Sequence, residues 1–432
     1  VAQFRTDKSI IDSGQVFTRY EVMMLSDRLT PSQTGVDAFG RIRTSTPHTL
    51  FDSQHQDVEN DKWDTLIVGS GTKTHLPDES TIKLEIGTAN NDSIIRETLR
   101  TMPYQPGKSL LIMNTFVMGE PKANVVQRTG YFTSNNGIYL ENDSGNNYIV
   151  LRSSVSGNVV ETRVIQSEWN IDNFDGSGYS SQGTGEEHKN GLNISKSNLF
   201  WMDIEWLGVG DVRCGFLIDG LLKIAHVFHN DNRNPTTYMR SAILPLRYEI
   251  FNKGITSSNT VMRQICSTVI SEGGYNQINQ TRSASTPLSG KNLTNGINNP
   301  MISIRLKSNR LNAVAVPVSL DLYGLQATAF KYKILENVTS LTGASWQSTD
   351  DSSSVEYDIS ASTMTGGTIL KEGIFKGQET SKEVDLFSQL DSVIQLTRKI
   401  NASNGDIFTI AIEPTTNNDD AVVSLSWQEH IN

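Results

Sequence analysis

The run Phe200-Trp201-Met202-Asp203-Ile204-Glu205-Trp206 sets two carboxylates two residues apart in an otherwise apolar and aromatic stretch. Two carboxyl groups can act as acid and nucleophile on a glycosidic bond when they straddle it at roughly 5 to 5.5 Å. Side chains alternate along a strand, so Phe200, Met202, Ile204 and Trp206 take one side and Trp201, Asp203 and Glu205 the other. The first set reads as core and the second as the candidate face.

The same residues have a structural reading. With Gly208-Val209-Gly210 as a short hairpin loop, Glu205 falls opposite Arg213 and Asp203 opposite Gly215. A two-residue turn at Asp219-Gly220 then sets Arg213 opposite His226. Glu205, Arg213 and His226 would form one row across three strands, and such a row is more often a satisfied polar network than a site.

Other chemistry is sparse. Asn173, Asp175, Ser177 and Gly178 match the opening of a calcium loop, but Thr184 stands where a bidentate Glu belongs, so a solvated Gly-rich loop is the expectation and no metal is assigned. His226 and His229 fall on opposite faces of a strand and cannot share an ion without a bulge. Neither a Gly-x-Ser-x-Gly elbow nor a phosphate loop occurs, and no cofactor is implied. Cys214 and Cys266 lie in apolar runs and read as free thiols.

The elements that must position these residues are strands. "RTGYFTSNNGIYLEND" carries Asn136-Gly137 between apolar runs, and "CGFLIDGLLKIAHVF" repeats the device with Asp219-Gly220, both hairpin signals. "YQPGKS" reads as a type II turn at Pro106-Gly107. Pro317 inside "AVAVPVSLDLYGLQ" marks an edge or a bulge. Residues 276–300, rich in Asn, Ser, Thr and Gly, read as a polar linker between a larger region, 1–275, and a smaller one, 301–432. The fold class expected is all-β, two β-sandwich domains with the larger first. A formal net charge of −10 offers no field for nucleic acid or anionic lipid. No apolar run reaches the length of a membrane span and the start lacks a leader's apolar stretch, so the expectation is a soluble protein made in a cytoplasm.

Two resemblances attach to these residues. "MDIEWLG" is similar to the Glu-x-Asp-x-Glu strand of laminarinase-type retaining β-glucanases, which have a lectin-like, concanavalin-type jelly roll. That likeness puts Asp203 and Glu205 in the helper and acid/base places and Trp201 in the nucleophile's, which implies an inactive copy. Longer phrases, among them "DAFGRIRTSTPHTLFDSQ", "MPYQPGKSLLI", "DIEWLGVGDVRCGFLIDG", "LPLRYEIFN" and "ICSTVISEGG", resemble virion structural proteins of tailed, cyanophage-like bacteriophages. The likeness implies a β-rich, non-enzymatic tail, baseplate, fibre or capsid-exterior subunit. Its partners would be other virion proteins and its own copies. The alternative is a module gripping a host-surface glycan through Trp201, Asp203 and Glu205.

Overall fold

The computed structural model describes residues 46–176, 191–218, 220–276, 280–386 and 394–430. These residues are all-β: antiparallel strands make four sheets, and the helical turns among them are two short 3-10 turns, Pro77–Glu79 and Gln166–Glu168. The first phrase of the phage-like likeness begins outside the described residues, as do Ser177, Gly178, Thr184 and Asp219.

Two of the sheets pack face to face. One has eight strands, running Leu221–Phe228, Val212–Ile218, Asn198–Ile204, Leu110–Val117, Thr260–Ser271, Thr81–Ile86 and Thr72–Leu76, with His48–Ser53 beside Thr260–Ser271. The other has seven, running Val160–Ile165, Asn146–Ser153, Gly137–Asp143, Val125–Phe132, Leu246–Asn252, Ser93–Thr98 and Trp63–Val68. The period-2 pattern of Leu110–Val117 shows why: every second residue is buried. Ile112, Phe116, Phe200 and Met202 meet Tyr131, Ile138, Leu140 and Tyr248 in one core.

The remaining two sheets hold a second core around Phe330, Ile334, Ile410 and Trp427. A hydrogen-bonded seam joins them to the seven-stranded sheet. Arg398 reaches Glu97 at 2.7 Å and its N–H donates to the Leu99 carbonyl, while Gln395 donates to the Thr101 carbonyl and the Ile400 N–H to Asp64.

At Pro106-Gly107, Lys108 N–H donates to the Gln105 carbonyl and Gly107 has φ +83°, as a type II turn requires. Pro317 sits at a register shift between Pro317 and Ser319. The hairpin at Asn136-Gly137 differs: Gly137 already pairs with Phe132, so the loop is Thr133–Asn136. The stretch read as a polar linker, 276–300, is corrected too. It contains strands Gln280–Ser285 and Lys291–Leu293, both paired to Asp419–His430. Flanking strands bury few side chains, so their polar composition hides them from a hydrophobicity reading.

Candidate functional site

The acidic strand Asn198–Ile204 lies between Val212–Ile218 and Leu110–Val117. Phe200, Met202 and Ile204 enter the core, as alternation requires. On the other face the register differs from the expected one by two residues: Asp203 pairs with Arg213 and Trp201 with Gly215. The cause is the loop. Glu205 N–H donates to the Asp211 carbonyl, and Val209 and Gly210 both donate to the Trp206 carbonyl, so five residues, 206–210, make the turn.

Asp203 is therefore the carboxylate that Arg213 neutralises, through a hydrogen bond from Nη2 to Oδ2. Its other oxygen is buried without a partner among the described residues. Burial raises the Asp203 pKa, Arg213 opposes the rise, and the neighbouring charges of Glu272 and Glu205 add to it. Glu205, past the strand end, is exposed. Trp201 is buried, and its indole N–H meets no acceptor among the described residues.

The row Glu205–Arg213–His226 does not form. Between Cys214 and Gly215 the pairing slips by one residue: Gly215 faces Ile224 while Cys214 faces His226, leaving Ala225 as an extra residue. A one-residue slip exchanges the two faces of a strand, so His226 sits on the side of Cys214, opposite the Asp203–Arg213 pair. The bulged Ala225 carbonyl accepts the N–H groups of Ile171 and Asp172, each at 3.1 Å. That holds Asn170 along the sheet edge, where its amide accepts from Val227 N–H and donates to the Val227 carbonyl, both at 2.9 Å. Asn170 N–H donates to His226 Nδ1 at 3.3 Å. Burial, then the neighbouring His229, lowers the His226 pKa to about 4. His229 itself bonds Asp211 at 2.8 Å.

Among the described residues the calcium-like stretch supplies no assembled ligands. The Asn173 amide lies against main-chain carbonyls of Gln166 and Trp169, and Ser177 is outside the described residues; Asp175 belongs to the same turn-rich stretch. Asp172 Oδ1 accepts the Phe174 N–H at 2.8 Å, a side-chain turn. Among the described residues no group of three His, Cys, Asp or Glu side chains is placed to hold a metal. Cys214 and Cys266 are free thiols, and burial raises the pKa of both.

Sequence reasoning passed over the polar run His229–Tyr238, whose Arg233 and Thr237 line a cleft beside His226. The signal it carried was a cluster of Asn, Asp and Pro directly after a strand, which reads only as a loop.

No family profile and no curated protein matches the chain. Among solved structures it is similar to a β-glucanase of Bacillus licheniformis, with 11% identity over 52% of this chain and 99% of that one, at a TM-score of 0.32. It is also similar to arcelin-5, a lectin-like defense protein from Phaseolus vulgaris, with 9% identity over 53% of this chain and 100% of that one, at 0.31. A third is a carbohydrate esterase of a Shiga toxin-encoding bacteriophage, with 13% identity over 52% of this chain and 99% of that one, at 0.31. Overlap this shallow carries no inference about chemistry.

Proposed function

We propose that the chain is a non-catalytic building block of a tailed-phage particle, assembled in the host cytoplasm and acting through protein–protein contact with its own copies and other virion proteins. The observation that carries the reading is the acidic strand: its one buried carboxylate is paired with Arg213, and an indole, Trp201, occupies the place that the glucanase likeness gives to the nucleophile. Two further features support it. The phage-like phrases run through the strands that build the first core. Among the described residues strand Thr363–Lys376 is a sheet edge of fourteen residues with Ile369 and Ile374 exposed, an open ladder of the kind other chains pair with.

Size-exclusion chromatography with light scattering tests the reading. A discrete oligomer that Ile374→Glu weakens is the expected result, and a strict monomer at micromolar concentration overturns it. Reducing ends released from β-glucan and lost in Glu205→Gln would replace it with a hydrolase. The second reading, a host-surface glycan module, loses the face first assigned to it, because Trp201 and Asp203 are buried there. It retains a different surface.

A further inference from the structure

Where the edges of the first two sheets face one another, strands Val160–Ile165 and Leu221–Phe228 leave a cleft of about 690 Å³. Apolar side chains, Leu151, Val164 and Phe228 among them, line one part of it. Hydroxyl and amide groups of Ser153, Thr162, Asn234, Thr236 and Thr237 line another. Among the described residues no carboxylate lines the cleft, in a chain whose formal net charge is −10. The exclusion of acids is local and goes against the composition.

Besides the buried Tyr238 hydroxyl, two lining residues have donors without an acceptor among the described residues. His226 is 7% exposed and its Nδ1 accepts the Asn170 N–H, so the ring proton sits on Nε2, which has no acceptor among the described residues. Arg233 is exposed and its guanidinium makes no ion pair or hydrogen bond among the described residues. Its loop is nevertheless fixed: Arg233 N–H donates to the Asn230 carbonyl, and the Asn230 amide donates to the Gly210 carbonyl at 2.9 Å. Of the other ionisable lining groups, His229 is already matched by Asp211, and the Tyr238 phenol is buried.

We propose that this cleft binds an acidic oligosaccharide, with Arg233 taking the carboxylate, the His226 Nε2–H and the hydroxyl and amide groups taking ring hydroxyls, and the apolar side taking a sugar's C–H face. A guanidinium fork matches a carboxylate with two parallel N–H bonds, which a lone sugar hydroxyl cannot offer. A mostly apolar concavity with a few placed donors is the usual build of a small-ligand site. His226 held neutral near pH 7 donates without adding charge, so discrimination for the acid rests on Arg233. The inference is independent of the assembly reading, which light scattering tests separately.

Isothermal titration of the full chain with trigalacturonate, neutral galactotriose and hexaglutamate tests it. The acidic trisaccharide binds at least tenfold more tightly than the neutral one, and hexaglutamate binds more weakly than either. Arg233→Gln, at an exposed loop position that leaves folding intact, erases the preference for the acid. His226→Phe weakens both sugars about tenfold. Failure of both sugars to bind, equal or tighter binding of hexaglutamate, or a preference that survives Arg233→Gln would each overturn the proposal.

Discussion

A carboxylate inside a protein keeps its charge only where donors surround it, and two residues meet that demand differently. Glu429, wholly buried, accepts from Ser353 Oγ at 2.6 Å, Trp427 Nε1 at 2.8 Å and the Ser354 N–H. Among the described residues Asp203 has one counter-charge, the half-exposed Arg213, and a second oxygen with nothing to accept from. Taking away that single partner strands a buried charge beside Glu272 and Glu205. Arg213→Ala should therefore cost about 1 to 3 kcal/mol at neutral pH, measured by urea unfolding. Asp203→Asn in the same background should recover most of the loss, since the amide carries no charge to strand. Because the folded pKa of Asp203 is raised, the penalty belongs to its ionised form and fades as the pH falls and the carboxyl protonates. A loss that persists unchanged at low pH would assign the effect to lost packing of the Arg213 stem instead.

At the scale of the element, one extra residue decides which groups meet. The bulge at Ala225 turns His226 from the Arg213 side to the cleft side and presents a carbonyl to Ile171 and Asp172. Gly215 makes room for it: an added Cβ would stand 1.9 Å from the Lys223 carbonyl oxygen and 2.9 Å from Ile224 Cα, both main chain. Gly215→Ala must then push the edge strand outward, at a cost of about 1 to 3 kcal/mol by urea unfolding. The same shift should weaken ligand binding in the cleft, because His226 and Asn170 move with the strand; an unchanged stability would mean the bulge yields freely. This element also marks what was legible beforehand. The strands, the alternation that buries Phe200, Met202 and Ile204, and the Pro106-Gly107 turn follow from residue type and period alone. The pairing partners of Asp203 and His226 do not. One depends on a loop closed by a main-chain bond between Glu205 and Asp211, the other on a bulge at an alanine, which carries no special backbone preference. The strands within 276–300 escaped for a related reason, since hydrogen bonding to Asp419–His430 requires no particular side chains.

For the whole molecule, two histidines far apart in sequence tie stability to pH. His55 and His226 are both buried, and each offers Nδ1 to a main-chain N–H, from Asn60 at 3.2 Å and Asn170 at 3.3 Å. Burial, aided by Arg96 beside His55 and by His229 beside His226, lowers both pKa values from 6.5 to about 4. Protonating either ring would also break its bond to the main chain. Below pH 6.5 the unfolded chain therefore binds two protons that the fold refuses, and stability declines as the pH falls, down to about pH 4, where the folded rings protonate as well. Each refused proton is worth about 1.4 kcal/mol per pH unit, so the pair approaches twice that slope midway through the window. Carboxylates whose pKa is lowered in the fold, such as Glu59 beside Lys73 and Arg96, lose their contribution only further down, as the pH falls into their own range. The fall in stability between pH 6 and 5 thus belongs to the imidazoles, while carboxyls whose pKa burial raises, such as Asp203, act in the opposite direction. Urea unfolding across it should give a steep fall in stability for the native chain and a nearly flat line for the double variant His55→Gln, His226→Gln, whose absolute stability is lower throughout. An equally steep line in the double variant would move the proton uptake to other groups and remove the two rings as the source.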